Sequence, residues 1–243
     1  GSSSFADRID LGLLQSIHIE TDLDQAIIAE LEAGRDVLLT GNPGDGKSHL
    51  QRILAPAMSH LPVRPVVELD ASTLLDHEVK ERWEQARRDR RPFCLAINQA
   101  VLFNLADRYP KFRPFLEARD QITQAVAYGH VPPFSDRTVT VFDLNLRNVL
   151  SRKIVEAVIN KMTAPDVISA CNSCPSEGCD FIRNRTLLRS PRFRERLQAI
   201  LDRVSSRGYH ATLRELQSFV SYLLFAGRTC ADLMADSGNR DLS

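Results

Sequence analysis

An eight-residue stretch, Gly41-Asn42-Pro43-Gly44-Asp45-Gly46-Lys47-Ser48, constrains this chain more than any other feature. Its spacing is G-x-x-x-x-G-K-[ST]. Gly41, Gly44 and Gly46 allow backbone conformations that a Cβ blocks, so successive N–H groups can turn inward toward one anion. Lys47 adds a compact cation for phosphate oxygens, and the Ser48 hydroxyl suits magnesium. Asp36-Val37-Leu38-Leu39-Thr40 just before the stretch is a strand signal, and 49–55 just after it is a helix signal. Such a helix offers unpaired N–H groups and its positive end to the same anion. Gly41 to Ser48, with His49 behind them, therefore form the candidate nucleotide site, with ATP and Mg2+ as its expected cofactors.

The rest of the first half reads as strands alternating with helices. Thr21 is placed to cap a helix over 22–33, stopped by Gly34. After the loop helix, 66–70 reads as a second strand and 76–90 as a polar helix. The basic end of that helix, Arg87-Arg88-Asp89-Arg90-Arg91, is accounted for by the helix dipole. Phe93-Cys94-Leu95-Ala96-Ile97 is a continuous apolar run, expected as a buried strand, with Cys94 as core. Helices over 100–108 and 112–128 and a strand over 138–143 follow. This alternation predicts an α/β fold: a parallel sheet with helices on both faces, of the P-loop nucleotide-binding kind. Beyond residue 146 only helices are expected, over 149–162, 191–206 and 212–226. The expected division is a nucleotide-binding core over 1–150 and a helical, lid-like subdomain over 151–243.

A phosphate loop needs acid groups on a partner strand, for magnesium and for the attacking water. The strand at 93–97 ends in Asn98-Gln99, the amide counterparts of the expected Asp-Glu. Asn98 can hold a magnesium-bound water. Gln99 can orient a water but is a poor general base. A helix-starting turn is the alternative reading of the pair. At the end of the last strand, Asn145 is positioned to sense a γ-phosphate and Asp143 is the nearest spare carboxylate. Both can equally be caps of the next helix. Lys47, Asn98, Gln99 and Asn145 are thus the candidate catalytic set.

Cys171, Cys174 and Cys179 follow the spacing C-x2-C-x4-C. The first pair matches a zinc knuckle, which makes Zn2+ a candidate ligand with a remote fourth donor such as His210 or Cys230. Ordinary thiols in an interaction loop, or a redox-sensitive cluster, are the alternatives. From Phe181 to Arg207 eight arginines stand against Glu195 and Asp202, readable as a solvated helical face or as an interaction surface.

Gly-Asn-Pro-Gly-Asp-Gly-Lys-Ser, Ala-Ile-Asn-Gln-Ala at 96–100, Phe-Asp-Leu-Asn-Leu-Arg-Asn-Val-Leu at 142–150, the cysteine loop and Thr212-Leu213-Arg214-Glu215-Leu216 form a set. Together it resembles the AAA+/STAND-type ATPases of bacterial defence, especially the DptF-type component of DNA-phosphorothioation-dependent restriction. The resemblance covers most of 36–226. It implies ATP hydrolysis coupled to assembly or DNA processing, partner subunits of a defence complex, self-association in the full-length protein, and DNA as a candidate ligand. It also implies that Arg214 is a sensor arginine contacting nucleotide from the helical part. In that group the strand motif reads Ala-Ile-Asn-Glu, so Asn98 agrees and Gln99 departs. The departure implies either a weak ATPase or an engineered replacement that traps ATP.

Composition sets limits on partners. The 31 basic and 31 acidic residues cancel, so no global field points to nucleic acid. Hydrophobic content of 43% with 26% charged residues suits a globular chain with a full core. No apolar run approaches a membrane span and no secretory signal is visible, so a cytoplasmic location and no membrane partner are expected. Two other function classes compete: a regulatory or scaffold module that binds nucleotide without turning it over, and a small-molecule kinase. The kinase is disfavoured because no acceptor-site pattern accompanies the loop.

Overall fold

The computed structural model describes residues 11–128, 137–165 and 179–232. They divide into two compact units. One comprises 11–15 and 20–147, the other 16–19 and 148–232.

The first unit is built on four parallel strands, β1 (Asp36–Thr40), β2 (Val66–Glu68), β3 (Phe93–Ala96) and β4 (Val139–Asp143), in the order β2-β3-β1-β4. All five residues of β1 and all four of β3 are buried, as continuous apolar runs between two helical layers must be. Alternation along the strands assigns the layers. Leu38, Leu95 and Ile97 face one core, with Trp83 of α4 (Asp76–Arg88), Leu102 and Leu105 of α5 (Gln99–Arg108), and Phe115 of α6 (Arg113–Tyr128). Val37, Leu39 and Cys94 face the other, with Ile27 and Leu31 of α2 (Asp22–Glu32) and Leu50, Leu54 and Met58 of α3 (Lys47–Ser59). Burial pushes the Cys94 thiol up to about 12, so it is an inert packing group.

Two buried glutamines fix helices to the sheet. Gln51 Nε2 of α3 donates to the carbonyls of Glu68 (3.0 Å) and Cys94 (3.1 Å), spanning β2 and β3. Gln121 of α6 donates to Val139 O (2.8 Å) and accepts from Val141 N (3.1 Å), which covers backbone groups along the edge strand β4.

In the second unit α7 (Arg152–Met162), α8 (Asp180–Arg189), α9 (Pro191–Ser206) and α10 (Leu213–Phe225) enclose their own core around Val158, Phe181, Leu188 and Val220. Phe181 and Phe225 stack with ring centroids 4.6 Å apart.

Three departures from the sequence expectation have local causes. Helix α8 was not anticipated, because its ten residues carry three arginines and only a thin apolar stripe. Phe181 and Leu188 bury that stripe, and Pro191 at the start of α9 forces the break after it. Helix α1 (Leu11–Ile17) was likewise missed. Helix α3 runs through Pro56 to Ser59 rather than ending at 55, since Leu54 and Met58 pack on the sheet from either side of the proline.

At the amino-terminal edge of the sheet, Asp36 is 4% exposed and accepts from Trp83 Nε1 (2.7 Å), Phe93 N (2.8 Å) and Arg87 Nε (3.3 Å). Desolvation raises its carboxyl above the usual range, opposed by these donors. Asp36→Ala strands three donors in the core and is expected to cost about 3 kcal/mol or more, read as a lower urea midpoint. A change under about 0.5 kcal/mol would contradict this assignment.

Candidate functional site

Parallel pairing sets β1, β3 and β4 side by side, with Leu39 opposite Ala96 and Thr40 opposite Asp143. The 41–48 loop, Asn98-Gln99 and Asp143 therefore emerge at one edge of the sheet, the carboxyl edge, where open α/β sheets bind ligands. Leu69-Asp70, following β2, arrive at the same edge.

The loop has the shape its glycines allow. Gly41, Gly44 and Gly46 have φ of 148°, 98° and 98°. A Cβ on Gly41 would stand 2.8 Å from Asp45 Oδ2 and 3.1 Å from Leu144 Cβ. Gly46 is the left-handed N-cap of α3, and the helix ladder is taken up by Leu50 N donating to Gly46 O (2.9 Å). The N–H groups of Lys47 and Ser48 thus lie in the first turn, ahead of that bond, where a helix has no internal acceptor for them.

Lys47 Nζ donates to the carbonyls of Gly41 (2.7 Å) and Asn42 (3.0 Å), so the cation is folded over the concave side of its own loop. Burial lowers its pKa, and the charges of Asp45, Asp70 and Asp143 oppose that shift. Three carboxylates on three different segments therefore act electrostatically on one ammonium. The Ser48 hydroxyl donates to Leu69 O (3.0 Å), next to Asp70. Asp70 Oδ1 accepts from the backbone N (2.9 Å) and hydroxyl (2.6 Å) of Ser72. Asp70 was read from sequence only as a strand residue. Its place beside Lys47 follows from β2 lying two strands away, a register that no local pattern encodes.

Asp45 is buried, and its Oδ2 accepts from Asn42 N (2.6 Å). The same N–H donates to Asn145 Oδ1 (3.2 Å), so Asn145 touches the loop. Burial lowers the pKa of Arg147, and nearby Asp24 and Asp45 draw it back up. Pro43 is exposed at the loop tip, and His49 is half-buried one turn into α3.

Asn98 stands at a helix-starting turn and the Asp143 side chain is a cap, which are the alternative readings of these residues. Asn98 is the N-cap of α5, its carbonyl accepting from Leu102 N (3.0 Å). Asp143 Oδ1 accepts from Asn145 N (3.0 Å) and caps a 3-10 turn. Gln99 does not stand alone: its Nε2 donates to Asp143 Oδ2 (2.6 Å), joining the ends of β3 and β4.

The remaining expected residues belong to the second unit. Arg214 is exposed in the first turn of α10, in the second unit. Its neighbours Thr212 and Glu215 form a reciprocal capping box, Thr212 N to Glu215 Oε2 (2.8 Å) and Glu215 N to Thr212 Oγ1 (3.2 Å), which explains half of that motif structurally. In the arginine-rich segment, Arg185 Nε holds the Thr163 carbonyl (3.0 Å), while Arg183 and Arg189 are exposed. Cys171 and Cys174 lie outside the described residues. Cys179 is half-buried at the start of α8, and among the described residues no group of three His, Cys, Asp or Glu side chains is placed to hold a metal.

Comparison with protein-family models, curated proteins and solved structures returns no match. Gly41→Ala tests the loop geometry directly. The added methyl collides with Asp45 and Leu144 at a backbone angle that L-residues avoid, so a cost of roughly 1–3 kcal/mol in thermal unfolding is expected. Unchanged stability would show that the loop does not take this shape.

Proposed function

We propose that this chain is an ATP-binding module of the P-loop class with slow hydrolysis. The observation that carries this reading is the cradle at the carboxyl edge. There, three positive-φ glycines, the first turn of α3 and Lys47 folded onto Gly41 and Asn42 present donors and one cation to a common volume. The residues fit Mg-ATP: the loop and Lys47 would hold the phosphates, while Ser48 and Asp70 would hold magnesium. Bound ATP supplies the phosphoryl group and the metal its charge neutralisation.

The chain's own contribution to hydrolysis is the placement of a carboxylate. Gln99 cannot take a proton from water, but it holds Asp143 Oδ2 at 2.6 Å. Asp143 is thus the fixed carboxylate at the end of β4, within electrostatic reach of Lys47. With Oδ1 engaged by Asn145 N and Oδ2 by Gln99, both oxygens of Asp143 already accept hydrogen bonds, which leaves little access for a water proton and fits slow turnover. The same engagement favours a second reading, a regulatory module that binds ATP without hydrolysing it. The narrower proposal places the chain among the AAA+/STAND-type ATPases of bacterial defence; it rests on the sequence motifs, and DNA, partner subunits and self-association belong to it.

Turnover measurements on three proteins separate these readings. Gln99→Glu sets a second carboxylate against Asp143, which raises the pKa of one of them and creates a base nearer neutrality. Its hydrolysis rate is expected to exceed that of the parent by about a hundredfold, rising with pH through that raised pKa. Asp143→Asn is expected to abolish the residual parent rate. If all three bind ATP and none hydrolyses it, the binding-only reading stands and the ATPase proposal fails.

A further inference from the structure

The opposite, amino-terminal edge of the same sheet carries a second concentration of charge. A cavity of about 550 Å³ there is lined by Arg35, Arg87, Arg90, Arg91 and Arg137, with Asp36 at its floor. The five arginines come from three places in the chain: the end of α2, the end of α4 and the entry to β4. The Arg87–Arg91 run, accounted for in the sequence by one helix dipole, thus belongs to a convergent cluster.

Two helix ends build the walls in the same way. After α2, Gly34 N donates to Leu31 O (3.0 Å) and Arg35 N to Glu30 O (3.0 Å). After α4, Arg90 N donates to Arg87 O (3.1 Å) and Arg91 N to Ala86 O (2.9 Å). Both are Schellman closures, whose left-handed residue is normally glycine. Gly34 fills it in α2 with φ 78°, whereas Arg90 fills it in α4 with φ 54°. An arginine thus occupies the strained position.

Three of the guanidinium groups are held in place. Arg35 bonds Glu30 through Nε (2.6 Å) and Nη2 (2.9 Å). Arg87 bonds Asp36 and Thr138 through Nε (3.3 Å) and Nη2 (2.9 Å), and Arg91 bonds the carbonyls of Arg64 and Pro65 through the same atoms (2.8 and 3.1 Å). Each keeps Nη1 outside these bonds. Among the described residues, the buried Nε of Arg137 has no hydrogen-bond partner. Guanidinium groups that converge on one cavity are what an anionic ligand would satisfy.

Helix carboxyl ends favour arginine on their own, so the charge balance decides. Among the described residues that line the cavity or bond its arginines, Asp36, Glu30 and two helix ends of about half a negative charge each stand against five guanidinium groups, which leaves roughly two positive charges unmatched. Glu117, which accepts from Thr138 N (3.2 Å), is already paired with Arg113. Dipole compensation alone does not call for that surplus. A flat nucleic-acid surface is a poorer match than a concave site of this volume, which lies in the range of small-ligand pockets.

We propose that this cavity is a second anion site, distinct from the 41–48 loop, that takes a small ligand carrying one or two phosphate groups. The guanidinium fork matches phosphate oxygens two at a time.

Calorimetric titration with inorganic pyrophosphate, on the full chain carrying Lys47→Ala to disable the loop, tests it. One binding site is expected. Arg90→Gly removes a lining charge while relieving the left-handed strain, so that variant folds at least as well, and its affinity is expected to fall about tenfold. Arg137→Gln is expected to weaken binding by a similar factor. Absence of binding in the Lys47→Ala protein overturns the proposal, as does affinity unchanged by both arginine substitutions. Arginine-dependent binding of a short single-stranded DNA with none of pyrophosphate would overturn it in favour of a nucleic-acid contact.

Discussion

The parallel pairing of β1 with β3 on one side and β4 on the other is the constraint on which the rest of the first unit depends. It puts β1 inside the sheet, where both faces are covered and all five of its residues are buried. A strand so placed can change direction abruptly at its end only with glycine, and Gly41 supplies that turn against Asp45 and Leu144. The direction of the pairing then delivers every strand's carboxyl end, with its polar residues, to the same edge. A site that gathers Lys47, Asp70, Asp143, Gln99 and Asn145 from positions up to about a hundred residues apart follows from three short ladders.

Charge is arranged differently at the two edges. At the carboxyl edge acids act electrostatically on one half-buried lysine, and the loop's remaining capacity lies in backbone donors. At the amino edge a buried acid, Asp36, is surrounded by a tryptophan, a backbone N–H and arginines. Asp36 and Lys47 lie just before and just after the apolar centre of β1 and its loop, so a single strand anchors both arrangements. Two cores lie on opposite faces of the sheet, one rich in aromatic rings packed face to face and edge to face around Trp83 and one mainly aliphatic around Ile27 and Met58.

Much of the first unit was legible because its signals are local. The apolar runs at 36–40 and 93–97, the glycine spacing of 41–48 and the turn at Gly34 each depend on neighbours in sequence. Contacts set by register were not legible. The Gln99–Asp143 bond, the approach of Asp70 to Lys47 and the burial of Arg147 beside Asp45 require knowing that β4 lies next to β1 and that β2 lies beyond β3. Helix α8 was hidden for another reason: its polarity suits a surface, and only Phe181 and Leu188 commit it to a core. Arg90 shows a limit of propensity, since nothing local announces an arginine where a helix ending asks for glycine.

The central claim is that the 41–48 loop binds Mg-ATP through Lys47. Isothermal titration of Mg-ATP into the parent protein and into Lys47→Ala tests it most directly, with circular dichroism to confirm that both are folded. One site is expected in the parent and a loss of affinity of about a hundredfold or more in the variant, because the phosphates lose their one compact cation in a partly desolvated cradle. Equal affinity in the two proteins, or no binding by the folded parent, would contradict it.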